Sequence, residues 1–322
     1  MKIGLRRLAS ALTIGCALLA TAVHAQDFPN RPLRLIVPQG PGGGSDVGAR
    51  IVAERLARAL GQPIVVENRP GAGGVIGVDA AAKSAPDGYT MVLGSNTTMA
   101  ANVSLYSKLP FDPVRDFAPL AITFAASFGI VVHPSVPVTN LKELVALAKA
   151  RPGQLNFGSG TSSAQICAEM FKFAAGIDLA YVPYRGSPQA LADLLSGQVQ
   201  LICDPLATAL PLVKSGKLRM LAVTSPRRSM FAPDMPTMAE AGVPNVEYTA
   251  WLGLFVPSAT PREIRARLSS ELMKVLRQPE TADALAKAGL DPLVLGPEEA
   301  LDYWKADIER QAVVIKRAGM KV

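Results

Sequence analysis

Side chains that usually carry chemistry are scarce in this sequence. Its 322 residues hold two histidines and three cysteines, and His24 and Cys16 fall in an N-terminal stretch that reads as a removable leader. The remaining histidine, His133, precedes Pro134 at the end of an apolar run, the setting of a satisfied structural histidine. One histidine and two separated cysteines give no metal-ligand spacing, so no metal is expected. A serine hydrolase would need that histidine near a nucleophile elbow, and Gly160-Thr161-Ser162-Ser163-Ala164 lacks the second glycine. A Walker-type Gly-Lys-Ser/Thr is absent, and so is a dinucleotide fingerprint: Ser45 and Val47 stand where it would need glycine. No nucleotide or other cofactor is expected. The basic residues are interleaved with acids and form neither a stripe nor an aromatic platform, which excludes nucleic acid as a partner. Low-complexity tracts are missing too, and with 49% apolar and 18% charged residues the chain is globular and long enough for two lobes.

The N-terminus has the three parts of an export signal. Lys2, Arg6 and Arg7 precede an apolar, uncharged stretch from Leu8 to Val23, and Val23-His24-Ala25 places small residues where signal peptidase needs them. Residues 1–25 are therefore expected to leave by cleavage after Ala25. A membrane anchor is the competing reading, but Thr13, Gly15 and Thr21 interrupt a segment barely long enough to span. Thr13-Ile14-Gly15-Cys16 loosely resembles a lipoprotein processing site, with Thr13 where an aliphatic residue is expected. Loss of Lys2, Arg6 and Arg7 lowers the formal net charge of +7 by three, a surplus that supports weak attraction of anions. Cys167 and Cys203 would then sit in an oxidising compartment where a disulfide is open to them. Against that bond, the helical pattern around Cys167 and the apolar strand around Cys203 are places where cysteine serves as a small buried hydrophobe.

The most informative stretch runs from Leu33 to Arg50. Leu33, Leu35, Ile36 and Val37 read as a strand that Pro38 ends, and Gly40-Pro41-Gly42-Gly43-Gly44 can extend neither strand nor helix. Ser45 or Asp46 is placed to cap a helix in which Val47, Ile51, Val52, Leu56 and Leu60 recur at helical spacing, with Gly61 as its stop. A strand running through glycines into a helix start exposes backbone N–H groups beside the positive end of the helix dipole, an anion-binding concavity. The alternative is a tight connection whose glycines only satisfy backbone geometry.

The pattern then repeats. A strand at 64–66 leads into Gly71-Ala72-Gly73-Gly74, a short helix follows, and a strand at 89–93 ends at Ser95-Asn96-Thr97-Thr98. Ligands of such sheets lie outside the strand C-terminal ends, so these three ends, Ser95 and Asn96 included, converge on one edge. Two apolar runs broken around Ala126 to Gly129 form a first candidate crossover. A second αβ unit follows, with Gly158-Ser159-Gly160-Thr161-Ser162-Ser163 as its glycine turn, and Ser225-Pro226-Arg227-Arg228 is the second crossover. The expected architecture is an α/β clamshell of two mostly parallel sheets flanked by helices, with residues 26–127 and 226–322 as lobe 1, residues 128–225 as lobe 2, and the ligand between them. Asp46 and Asp204 could be an acid–base pair, although each sits near a loop or helix start where capping is the ordinary role. Tyr184 and Trp251 either line the cleft or belong to the core.

Seven motifs in order resemble the tripartite tricarboxylate transporter receptor family, the periplasmic solute-binding proteins also called Bug proteins. They are Pro41-Gly42-Gly43-Gly44-Ser45-Asp46, Glu67-Asn68-Arg69-Pro70-Gly71-Ala72-Gly73-Gly74, Pro86-Asp87-Gly88-Tyr89-Thr90 and Val182-Pro183-Tyr184-Arg185-Gly186, then Gly197-Gln198-Val199 with Gly216-Lys217-Leu218-Arg219, Pro236-Thr237-Met238-Ala239-Glu240-Ala241-Gly242, and Trp251-Leu252-Gly253-Leu254. The resemblance implies a type II-like periplasmic binding protein that holds a small organic acid by loop amides and waters and delivers it to the membrane permease subunits of a tripartite transporter. It implies ligand roles for Gly42, Gly43, Ser45, Asp46, Gly71 to Gly74, Gly158 to Ser163, Tyr184, Arg185 and Asp204, with Gly44 in the same loop. Two departures fall in the second lobe: Gln165-Ile166 stand where members commonly have histidine, and Pro205 where an asparagine follows the aspartate. A monomer that does not turn over its ligand is expected. The alternatives are a receptor of the same shape serving a sensor kinase, and an enzyme on this scaffold.

Overall fold

The structure is a computed structural model that describes residues 28–184 and 187–321. The expected leader and Arg185 lie outside these residues. Chain order alternates strands and helices: β1 (Leu33–Val37), α1 (Gly44–Leu60), β2 (Ile64–Asn68), α2 (Val75–Ala82), β3 (Thr90–Ser95), a π-helical turn Asn96–Ala101, and then β4 (Phe117–Val132). The second unit is α3 (Leu141–Ala150), β5 (Asn156–Ser159), α4 (Ser162–Ala175), β6 (Ala180–Pro183), α5 (Ser187–Leu195), β7 (Leu201–Pro205), α6 (Leu206–Lys214) and β8 (Arg219–Val223). The chain returns through β9 (Thr249–Pro257), α7 (Arg262–Leu276), α8 (Pro279–Lys287), β10 (Asp291–Leu295) and α9 (Pro297–Arg317). Among the described residues no helix is long and apolar enough to cross a membrane.

The sheet order is β2-β1-β3-β9-β4-β7-β5-β6, with β8 and β10 also paired to β4. The outer strands of each unit run parallel, β1 with β2 and β3, and β5 with β6 and β7. The central pairs, β3 with β9 and β4 with β7, β8, β9 and β10, are antiparallel. Parallel outer pairs need helical crossovers, which is why each unit is covered by helices; β1, β3 and β7 are almost wholly buried, while the edge strands β2 and β6 are only partly so.

The break expected around Ala126 to Gly129 is not there: β4 is one strand of 16 residues. Its partner changes instead. Residues 117–127 pair with β9, and from Phe128 onward the strand pairs with β7. Both faces of such a strand stay buried along its length, which a sequence reader meets as two apolar runs.

α1 buries Ala49, Val52, Ala53, Leu56 and Leu60, while Val47, expected on the inner stripe, is exposed. Its end at Gly61, with φ of +69°, is the left-handed stop anticipated from sequence. α9 bridges the molecule, with Ala300 and Trp304 in one apolar cluster beside β9 and Val314 and Ile315, joined by Met320 just past the helix, in another with α3 and α4. Cys167 of α4 and Cys203 of β7 are joined in that second cluster, their Cα atoms 6.1 Å apart, so the reading as two small buried hydrophobes gives way to a disulfide.

Candidate functional site

The loop after β1 is tied to α1 and to β2 through one side chain. Asp46, almost wholly buried, accepts hydrogen bonds from the Gly42 N–H (2.9 Å), from Asn68 Nδ2 (2.9 Å) and from Arg50 Nε (3.0 Å). Asn68 Nδ2 also donates to the Gln39 carbonyl (3.1 Å), and Arg50 Nη2 donates to Asn68 Oδ1 (3.0 Å). The Arg50 guanidinium, aided by the Gly42 N–H and Asn68, holds the Asp46 carboxyl at about 2 in spite of its burial. Asp46 is thus ionised near neutrality and fully committed, a brace for the loop and not a general base. The capping expected of Ser45 or Asp46 is also not found. The helix begins at Gly44, Gly43 occupies the cap position with φ of −76°, and no side chain caps it. Gly42 to Gly44 are exposed, so the first N–H groups of a 17-residue helix open on the loop.

The second turn uses its glycines differently. Gly71, Ala72, Gly73 and Gly74 all have positive φ, and an added Cβ on Gly74 would lie 2.5 Å from Thr98 Cγ2. That glycine is buried and serves close packing. Gly73 is held by Asn102, whose Nδ2 donates to its carbonyl (3.1 Å).

At the end of β3 the polar groups already have partners. Ser95 Oγ accepts from the Thr98 N–H (3.2 Å), and the Ser95 N–H donates to Thr98 Oγ1 (3.0 Å). Asn96 Nδ2 donates to the Tyr248 hydroxyl (2.8 Å), and both residues are buried. Thr97 Oγ1 lies 2.9 Å from Ser163 Oγ, in the first turn of α4. Ser163 also hydrogen-bonds Tyr248, whose hydroxyl is pushed far up by burial. The third strand end of the first unit and the glycine turn of the second are therefore brought together.

Within that second turn Thr161 Oγ1 caps α4 by accepting from the Ala164 N–H (3.1 Å), and Ser159 Oγ donates to the Thr161 carbonyl (2.7 Å). Ser162 and Ser163 are half-buried at the helix start. Gly158 lies against the Tyr184 ring, since an added Cβ would come 2.9 Å from Tyr184 Cε2. The Tyr184 hydroxyl donates to Asp193 of α5 (2.8 Å), and burial followed by Asp193 pushes it up to about 12. Asp204, 3% exposed at the end of β7, accepts from the Thr208 hydroxyl. Burial raises it to about 6 in spite of that bond. The two aspartates therefore occupy opposite environments.

Trp251 is corrected to core. It is fully buried, its Nε1 donates to Asp307 of α9 (2.8 Å), and it packs on Phe255 and Tyr303. Thr97, Tyr248 and Thr208 are parts of the site that sequence reasoning did not single out. Thr97 lay within a quoted strand end, whereas the partners Asn96 and Tyr248 are 152 positions apart and leave no local signal. Two surface grooves, of about 650 and 610 Å³, are not lined by any of these loops.

These strand-end loops present backbone donors and a few hydroxyls, the groups that can hold a small anion. Residues 48–320 match the model of the tripartite tricarboxylate transporter family receptor. Protein BugT of Bordetella pertussis is 36% identical over 312 residues, which cover 96% of each chain. The solved structure of R. palustris Rpa4515 with adipate is 35% identical, covers 92% of this chain and 99% of that one, and has a TM-score of 0.80. MatC (Rpa3494) from Rhodopseudomonas palustris with bound malate is 32% identical, with coverage of 89% and 100% and a TM-score of 0.74. With a family model spanning most of the chain and solved relatives matching nearly its whole length, this chain belongs to the tripartite tricarboxylate transporter receptor family.

Proposed function

We propose that this receptor captures a small carboxylate in the periplasm, without changing it, and hands it to the membrane subunits of a tripartite transporter. The observation that carries the reading is the exposed, uncapped start of α1, whose N–H groups and dipole face a loop that Asp46 holds in place. The solved relatives with adipate and malate support carboxylates as the ligand class. Contacts come from Gly42 to Ser45 on one side and from Thr161 to Ser163 and Asp204 on the other, with Asp46, Asn68, Ser95 and Asn96 as supports. Lobe 1 comprises residues up to 127 and from 226, lobe 2 the residues between, and the leader ends at Ala25; intact mass of the exported protein tests that last point. Micromolar binding, about −8 kcal/mol, is expected of such a site. Thermal shift followed by calorimetry with adipate, malate and short monocarboxylates tests the reading, and at least one acid should stabilise the protein. Stabilisation by amines or neutral sugars alone would overturn it, and turnover of the bound acid would make the protein an enzyme.

A further inference from the structure

The groove of about 610 Å³ lies beside the junction of the two lobes and shares no residue with the strand-end loops. One wall is a face of α6, including Leu210, Pro211 and Lys214; the other is the end of α8 with Lys287, and the crossover closes it with Met230 and Phe231. The lobes touch at its edge, where an added Cβ on Gly289 would lie 2.9 Å from Ala207 Cβ.

Three features describe the occupant. Apart from Lys214 and Lys287 the groove's lining is apolar, and Met230 is 62% exposed there. No acid lines the groove, and among the described residues neither Lys214 nor Lys287 belongs to a salt bridge. Pro211 sits inside α6 and has no N–H to donate to the carbonyl of Ala207, so the helix lacks that one backbone bond where it lines the groove. Unpaired ammonium groups beside an apolar lining fit a polypeptide segment better than a small ion, because a segment supplies a carboxylate and an apolar side chain together.

We propose that this groove is where the receptor docks on its membrane transporter, through an acidic segment with an apolar side chain that seats between Lys214, Lys287 and Met230. The proposal rests on the receptor reading above.

The test is site-specific photo-crosslinking in cells that carry the permease subunits, one of them tagged. p-Benzoylphenylalanine at Met230 should give an adduct with the tagged subunit, and the same probe at Val65, 57% exposed on β2, should not. Lys214→Glu with Lys287→Glu should lower the Met230 adduct at least fivefold while the melting temperature and carboxylate binding of the purified receptor stay as they were. Should that pair fail to fold, Lys214→Gln alone should give a smaller loss in the same direction. Equal adducts from Met230 and Val65, no adduct from Met230, or an adduct insensitive to the lysines would overturn the docking surface in a receptor that binds a carboxylate. Calorimetry that finds no carboxylate bound would instead overturn the receptor reading itself.

Discussion

Gly42 and Gly43 differ in what a side chain would cost. Gly43 has φ of −76° and an added Cβ there would meet only the Gly40 carbonyl oxygen, at an ordinary 4.0 Å, whereas Gly42 has φ of +82°. Gly43→Val is therefore expected to leave the melting temperature nearly unchanged and to weaken carboxylate binding at least tenfold, about 1.4 kcal/mol, by obstructing the amides. Gly42→Val should cost about 1–2 kcal/mol of stability as well. Calorimetry with the best carboxylate of the panel, beside ligand-free melting, separates the two. Asp46→Ala removes the acceptor of three hydrogen bonds and should weaken both stability and binding more than Ser45→Ala, whose hydroxyl caps nothing. Asp204 makes a pH prediction of definite sign. Its carboxyl titrates near 6 in the folded chain against an ordinary value of 3.8. Between those values the folded state keeps a proton that the unfolded state has lost, so stability falls as pH rises from about 4 to about 6 and is level above that. The loss is about 3 kcal/mol in order of magnitude. Denaturant melts across that range should show a slope that Asp204→Asn flattens.

At the scale of the element, two effects compete at Gly48, inside α1. Helix propensity alone favours alanine there by about 1 kcal/mol. Packing opposes it, since an added Cβ would lie 2.6 Å from Phe124 Cε2 and 2.8 Å from Leu290 Cδ1. Phe124 is fully buried in the central strand and cannot retreat cheaply. Gly48→Ala is therefore expected to destabilise, by about 1–3 kcal/mol in urea melts. A stabilising result would mean that α1 can slide over the sheet, and with it the loop that its first turn presents. The start of α4 obeys the opposite logic: Thr161 caps it, so this turn offers fewer free N–H groups than the start of α1.

Across the whole molecule, β4, the crossover before β9 and α9 tie the two lobes together. The disulfide closes a separation of 36 positions within the second apolar cluster. By chain entropy, Cys167→Ser with Cys203→Ser should lower stability by about 4 kcal/mol in denaturant melts. Tyr248 joins the lobes more locally, through Asn96 and Ser163. Tyr248→Phe leaves the buried Asn96 amide without this partner and should cost about 1–3 kcal/mol.

Period and punctuation are local properties, so the sequence alone determined the order of strands and helices, the two glycine-rich strand ends of the first lobe, the left-handed stop at Gly61 and the motifs that mark the family. Only the tertiary structure decided which way those residues turn and what they touch. Asp46 turns inward because Arg50 lies one helical turn away and β2 delivers Asn68 beside it. Trp251 is core because its strand lies under α9, where Asp307 meets its indole. The continuity of β4, the pairing of Cys167 with Cys203 and the meeting of Asn96 with Tyr248 join residues distant in the chain. Such contacts form only when both lobes are in place, and no window of sequence contains them.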